Sequence, residues 1–424
     1  MPEVKFDELR VGIDWKQVMP GVKSVVPDTP SNIAPANATA NVPLDAALDL
    51  EGSAFSSESG DTLSKSEFYI ESMGGAVIVI TGTTETATLP ANTLQEDSLY
   101  TLKIRYFSTL SGLPSEYSAG TTFSTVWSPS DTPIAYDGAD YTAGDNVDGL
   151  NGGYGWASAW NVTEYQNTNL PMNIEVVTPG MTFDTLPVNG NAFYVNESAQ
   201  VTNRTYILAN RKLKTGDGVY HLMANDEKFG KPGTTNWLSF LAKIDDDCTN
   251  QTFDLGIGNG WPNIRVEGYY LPETDFVTWK LGGMAGAAAT TNSVKTNETA
   301  FLVARFISGS ESETNGTGYL WINPVLGDTP PAIEDAVSSK TNITYLAFND
   351  LLAVVDVYNS LISVVTNIPE PGVTNITKVY EAPAKVEYDE IRFGDTWQGV
   401  TAVPEPCLVF LALGMILAAL GLRK

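Results

Sequence analysis

The chain has 424 residues, enough for two or three domains, and a formal net charge of −26 at pH 7. That charge argues against nucleic-acid binding, since phosphate contacts need a basic face, and suits a self-repelling extracellular surface. One histidine and two cysteines provide no multi-histidine metal site, zinc spacing or disulfide framework, while 37 Gly and 24 Pro favour strands joined by turns.

The phrase VKFDELRVGIDWKQV at residues 4–18 returns as VEYDEIRFGDTWQGV at 386–400. Without gaps, Val4, Asp7, Glu8, Arg10, Gly12, Trp15 and Val18 match Val386, Asp389, Glu390, Arg392, Gly394, Trp397 and Val400. Both copies alternate like a strand, break at Gly and close on Trp. The second copy ends a long β-rich region, whereas the first has almost nothing before it. Residues 1–18 therefore read as the terminal strand of an upstream domain of the same type. The chain is expected to begin inside a longer protein whose export signal and first domain lie upstream, because residues 1–30 hold no secretory leader.

The Pro-rich segment 19–31 reads as a linker. Short strands follow over 32–126, clearest at SEFYIE (66–71), AVIVIT (76–81) and LYTLKIRYFS (99–108). In the last, Tyr100, Leu102, Ile104 and Tyr106 share one parity and are expected to face a core. A second linker, WSPSDTP (127–133), leads to a region over 130–400 with about a dozen strand signals, which predicts a large antiparallel sandwich of jelly-roll type. They include TFDLGIG (252–258), IRVEGYY (264–270) and FVTWKLG (276–282). GVYHLMAN (218–225), which carries His221, is read as a strand, and LLAVVDVYNSLISVV (351–365) is left between strand and short helix. The fold class is all-β, with a hydrophobic helix at the C-terminal end.

That end reads Val403-Pro404-Glu405-Pro406, an apolar run over 407–422, then Arg423-Lys424. The run is about sixteen residues, just short of the ~17–25 usual for a span, and the basic pair should stay cytoplasmic. The motif, helix and basic cluster at 403–424 resemble the PEP-CTERM sorting signal of Gram-negative bacteria. The resemblance implies an exosortase as partner, transient anchoring in the inner membrane, cutting near Pro-Glu-Pro, and delivery to the cell surface or extracellular matrix.

Two further resemblances carry the fold. Leu94, Ser98 and Tyr100 are spaced like the tyrosine-corner segment of fibronectin type III domains, although Glu96 stands where Pro is usual; residues 32–126 thus look like an immunoglobulin-like sandwich of uncertain type. YDGADYTAGDNVDGLNGGYGW, NWLSFLA, LWINP and YDEIRFGDTW resemble a concanavalin A-like (LamG-type) domain over 130–400. In that family the first and last strands lie side by side.

The chemistry offered by these phrases is limited. In YDEIRFG, alternation puts Tyr388, Glu390 and Arg392 on one face, Glu387, Asp389, Ile391 and Phe393 on the other, with Glu390 and Arg392 able to pair. Asp389 falls on the apolar parity and is expected to accept hydrogen bonds from a loop or from the Trp397 indole. Glycosidases of this superfamily place acids on one strand face. Glu387, Asp389 and Glu390 come nearest, but lack a third acid of the right parity, Lys5 replaces Glu387 in the first copy, and no other tight acid pair sits on a clear strand. No catalytic residue is therefore predicted. Calcium is the one cofactor suggested, at Asp140, Asp145 and Asp148 with Asn146, and at Asp245, Asp246 and Asp247 with Asn250 and Asp254, although turn chemistry explains these loops equally well. Tyr154, Trp156, Trp160 and Trp261 are candidate sugar platforms in Gly-rich loops. The main expectation is a non-catalytic surface or matrix protein that binds polysaccharide; the alternatives are a carbohydrate-active enzyme and a ligand-free spacer.

Overall fold

The computed structural model describes residues 25–401, apart from 59, 166–172, 187, 189, 197–204, 225–227, 247–250, 259–261, 272–274, 283–292, 310–314, 345–347, 349, 358–360, 371–372 and 381–384. The first repeat copy and the sorting motif, with Val403, Pro404, Glu405, Pro406, Arg423, Lys424 and the expected apolar helix, lie outside the described residues, as do Trp261 and Asp247. Among the described residues no helix is long and apolar enough to cross a membrane. The chain divides into two compact units, Met1–Ser128 with Gly216–His221, and Pro129–Thr215 with Leu222–Lys424.

The first unit is a β-sandwich. One sheet is antiparallel, in the order β1 (Asn32–Ala34), β3 (Leu48–Gly52), β6 (Thr86–Leu89). The other runs β2 (Thr39–Val42), β8 (Thr121–Thr125), β7 (Leu99–Ser108), β4 (Leu63–Ser72), β5 (Val77–Gly82), with β2 and β8 parallel. Strand β7 alternates as its sequence predicts: Tyr100, Leu102, Ile104 and Tyr106 are buried among Leu50, Phe68, Ile70, Leu89 and Phe123. Each such aliphatic or aromatic side chain contributes on the order of 1.5–3 kcal/mol on burial. The Gln95 N–H donates to the Tyr100 hydroxyl at 2.8 Å, tying the loop before β7 to the core. GVYHLMAN is not a strand: Tyr220–Leu222 form a 3-10 turn, in which His221 Nδ1 lies 2.6 Å from Asp97 Oδ2 and its ring stacks on Trp127. The side-chain bond and a backbone bond from His221 N to Asp97 Oδ1 at 2.8 Å favour the turn over an extended strand.

The second unit is a larger sandwich of two sheets. The seven-stranded sheet runs β10 (Asn161–Tyr165), β13 (Thr205–Lys212), β22 (Asp350–Val357), β15 (Gln251–Gly258), β16 (Pro262–Leu271), β17 (Phe276–Gly282), β18 (Ser293–Lys295). The eight-stranded sheet has β11 (Asn173–Val177), β12 (Ala192–Asn196), β25 (Lys385–Gly394), β14 (Thr235–Ile244), β19 (Ala300–Ile307), β20 (Asn315–Ile322) and β21 (Ser338–Thr344) in order, with β9 (Ala135–Asp137) also paired to β25. Phe253 of the first sheet meets Phe240 and Tyr388 of the second, at ring separations of 6.1 and 5.3 Å, in the layer between them. The described residues of the ambiguous stretch 351–365 are extended, 351–357 in β22 and 361–365 in β23 (Leu361–Glu370); β23 pairs antiparallel with β24 (Val373–Tyr380). β-Branched valines and isoleucines favour extended backbone there.

The second repeat copy is the most enclosed strand of the unit. Strand β25 is flanked by β12, β14 and β9, so both edges are paired and nearly every residue after Glu387 is buried. It ends in the short helix α1 (Trp397–Thr401), whose Trp397 and Val400 pack with Trp237, Leu241, Phe301 and Trp321 against the far side of the eight-stranded sheet.

Candidate functional site

The opening and closing phrases of the larger unit meet in one buried polar network. Strands β9 and β25 run antiparallel with Tyr136 opposite Arg392 and Asp137 opposite Ile391. The simple alternation read from YDEIRFG breaks at Glu390, which has φ +53° and sits at a β-bulge. One extra residue shifts the parity that follows. Asp389 and Arg392 therefore both lie opposite outward residues of β14, Leu241 and Ser239, while Tyr388 and Phe393 lie opposite inward Ala242 and Leu238. The expected Glu390–Arg392 pair forms at 2.6 Å with neither side chain exposed, and Tyr136 donates its hydroxyl to Glu390. Asp389 accepts from the Met181 N–H at 3.1 Å; the Trp397 indole donates instead to the Gly327 carbonyl at 2.7 Å. Burial, with Glu390 alongside, holds the Asp389 carboxyl well above the usual carboxylate range.

The opening phrase folds around Arg211, a residue that its local sequence does not single out. The guanidinium is 1% exposed and donates to Asp137 Oδ2, to Asn151 Oδ1 and to the carbonyls of Ser158 and Gly152. Asp137 also accepts from the Trp160 indole at 2.8 Å and the Tyr141 hydroxyl at 3.0 Å. Burial pushes Asp137 up although Arg211 draws it down, and burial with Asp137 pushes Tyr141 up to about 12. The Arg211 bonds and those accepted by Asp137 all stay within the protein, so the network is a clasp between the two ends of the sandwich.

That clasp corrects the expected platforms. Trp160 is 1% exposed, sandwiched within the clasp, and is no sugar platform. Trp156 is half-buried, with its indole donating to the Tyr136 carbonyl at 2.9 Å and its ring 4.9 Å from the Arg211 guanidinium carbon. Tyr154 keeps 44% of its surface. Among the described residues no three of His, Cys, Asp or Glu are grouped to hold a metal, so Asp140, Asp145 and Asp148 are not brought together as one site; the second expected loop runs into Asp247 and Asn250, outside the described residues. Asn146 instead accepts from the Asp148 N–H at 2.9 Å, as a turn residue does, and Asp148 accepts from the Val162 N–H.

Asp254 belongs to a different arrangement. In the seven-stranded sheet Phe253, Leu255, Ile257, Ile264, Val266, Trp279 and Leu281 point into the sandwich, which turns their neighbours to the outer face. Two register rows cross this face. One runs Asn161, Asn210, Leu352, Gly256, Arg265, Gly282 over six strands. The next sets Asp254 directly opposite Glu267, and Glu267 opposite Lys280. Arg265 Nη1 is 3.0 Å from Asp254 Oδ2, and Lys280 Nζ is 3.7 Å from Glu267 Oε2. Lys340, on the neighbouring β21, donates to the Gly282 carbonyl at 3.5 Å; burial, with Arg265 nearby, lowers its pKa despite Glu267. A Cβ at Gly282 would stand 2.4 Å from Glu267 Oε2 and 3.0 Å from Arg265 Nε, so a larger residue would displace these two side chains. Unlike the clasp, Arg265, Glu267 and Lys280 retain solvent-accessible surface. The sequence reading found no second acid pair on a clear strand; Asp254 and Glu267 are such a pair, formed across two strands.

No family model and no curated protein matches the chain. Among solved structures it aligns with a sialidase at 10% identity and TM-score 0.31, over 78% of this chain and 32% of that one. It aligns with an endo-beta-1,4-glucuronan lyase of Trichoderma reesei at 13% and 0.29, over 63% and 98%, and with a beta-1,3-glucanase of Mycobacterium marinum at 12% and 0.33, over 62% and 98%. The chain thus spans about a third of the sialidase. These likenesses are distant and assign no activity by themselves. The expectation that the chain is no enzyme rested on finding no further acid pair in the strands, and that ground is overturned by Asp254 and Glu267, which the β15–β16 register sets opposite one another.

Proposed function

We propose that the larger unit is a carbohydrate-active enzyme that seats a glycan across the outer face of its seven-stranded sheet and cleaves it there. The observation that carries this reading is the Asp254–Glu267 pair, a buried acid held opposite a partly exposed one beside Arg265 and Lys280. Two carboxyl groups on one face are what glycosidic cleavage by acid and base requires. Glu267, the more exposed, takes the proton-transfer role; Asp254, salt-bridged to Arg265, is the stabilising partner. The row of Asn161, Asn210 and Arg265 supplies hydrogen bonds along a chain of sugar units lying across the strands.

The remaining assignments rest on sequence. The motif at 403–424 supports export and exosortase sorting to the cell surface or matrix, with residues 130–400 as a concanavalin A-like domain and β9 beside β25 in keeping with that family's adjoining ends. The Gln95–Tyr100 bond supports an immunoglobulin-like spacer before it.

The test is release of reducing ends by the full chain from a panel of neutral and uronate-containing polysaccharides. Glu267→Gln and Asp254→Asn should each lower the rate about 10²–10⁴-fold with unchanged circular dichroism, the span of a lost acid–base group. Activity equal to wild type in both variants, or no cleavage of any polysaccharide by the wild-type chain, would sink the proposal.

A further inference from the structure

The eight-stranded sheet, a different sheet from that of the acid pair, carries a concavity. Tyr194 of β12, Glu387 of β25 and Lys243 of β14 stand in a single register row, Tyr194 opposite Glu387 and Glu387 opposite Lys243. Loop 177–182 forms one wall and the turn bearing Asn297 and Thr299 the other, enclosing a cavity of about 370 Å³. That volume is in the range of small-molecule sites.

Both walls are fixed. The Met181 N–H donates to the buried Asp389, and Gly180 N–H to the Gly190 carbonyl at 3.1 Å. Asn297 N–H donates to the Ile244 carbonyl at 2.9 Å. At the floor, Lys243 Nζ and Glu387 Oε1 are 2.7 Å apart, with 23% and 20% of their side chains exposed. One cation and one anion neutralise each other, so the floor offers no surplus charge to an ionic ligand. It offers instead an acceptor, a donor, a phenol that does both, and an amide and a hydroxyl at the rim. That complement suits a neutral polyhydroxylated molecule.

The repeat sets Glu387 apart from the rest of the closing phrase. The first copy of the closing phrase keeps the counterparts of Asp389, Glu390 and Arg392 but has Lys5 where Glu387 stands. The clasp residues recur; the cavity acid does not.

We propose that this cavity binds a single neutral sugar unit, with Glu387 and Lys243 engaging its hydroxyls and Tyr194 packing beside it. The site is independent of the cleavage face, and its test does not involve cleavage. Methyl glycosides of glucose, galactose and mannose, with glucuronate as ionic counter-probe, would be titrated into the full chain by calorimetry and by saturation-transfer NMR. At least one methyl glycoside should bind saturably at one site. Glu387→Gln and Tyr194→Ala should each weaken binding about tenfold or more, the scale of one lost charge-assisted contact. Glu267→Gln, on the other sheet, should leave it unchanged. Three results would overturn the proposal: no saturable binding by any methyl glycoside, binding indifferent to both cavity variants, or Glu387-dependent binding of glucuronate tighter than of the neutral sugars. Unchanged circular dichroism and an unchanged urea midpoint in the two variants separate loss of the site from loss of the fold.

Discussion

Glu390–Arg392 and Glu267–Lys280 employ similar side chains on strands of one sandwich, in opposite surroundings. The first pair is wholly enclosed at 2.6 Å; the second is 3.7 Å apart with 15% and 30% of its side chains in solvent. The clasp also spends all four Arg211 donors described above on internal acceptors. A charge without solvent and with every partner supplied by the protein is held in place and has nothing left to offer a ligand. A charge on a partly wet face has that capacity. Both sets contain acids close together, so proximity of carboxylates alone does not separate structure from chemistry. Solvation and commitment of partners do.

The largest expected effect tests the structural half of this contrast. Arg211→Met leaves Asp137 buried without its cation, and breaking a buried pair costs about 3–5 kcal/mol. Urea unfolding of the full chain should show the larger unit losing stability on that scale, or failing to fold. Because a failure to fold is ambiguous, Arg211→Lys supplies the milder case: one charge remains, the fork does not, and a smaller loss should follow. A change under about 1 kcal/mol in Arg211→Met would place the clasp among ordinary surface pairs.

An intermediate effect concerns pH. Asp389 has its folded-state pKa raised, by burial first and then by Glu390. A raised group keeps its proton in the folded state after the unfolded chain has given it up. Its contribution to stability is therefore fully present below the unfolded value of about 3.9 and is lost as pH rises through the folded value. Glu67 in the first unit has the reverse sign. Burial raises it, but the Tyr117 and Arg105 hydrogen bonds outweigh this and lower it, so its contribution is present above its unfolded value and lost as pH falls through the folded one. Denaturation midpoints measured upward from about pH 4 should show the larger unit weakening as pH rises, and Asp389→Asn should flatten that decline. An unchanged slope in the variant would mean that Asp389 is not its source.

The two halves were unequally legible in the sequence. Strand β7 could be read residue by residue, since Tyr100, Leu102, Ile104 and Tyr106 follow an unbroken period of two. The same rule failed in β25, because the bulge falls on Glu390 and not on the glycine that usually marks such a position. Arg211 was invisible as a clasp residue: 74 positions separate it from Asp137, and nothing local records that pairing. Trp160 looked like a platform because a Gly-rich loop suggests exposure, whereas this loop folds back over its own indole. Asp254 and Glu267 were closer to view. Each stands at the parity opposite Phe253, Leu255, Ile264 and Val266, and reading TFDLGIG and IRVEGYY as one hairpin would have set the acids face to face. The missing information was the register, which depends on the intervening turn.

The smallest expected effect returns to the exposed face and tests the other half of the contrast. Lys280→Ala removes a partner 3.7 Å from Glu267 on a partly solvated surface. Exposed pairs of this kind contribute about 0–1 kcal/mol, so the unfolding free energy should barely move. Cleavage should move more, because Lys280 borders the acid assigned to proton transfer: the rate with uronate-containing polysaccharide should fall while the folded state stays intact. If Lys280→Ala instead cost stability on the scale of Arg211→Met, the outer face would be a second clasp, and its acids would have to be counted with those of β25 as part of the frame.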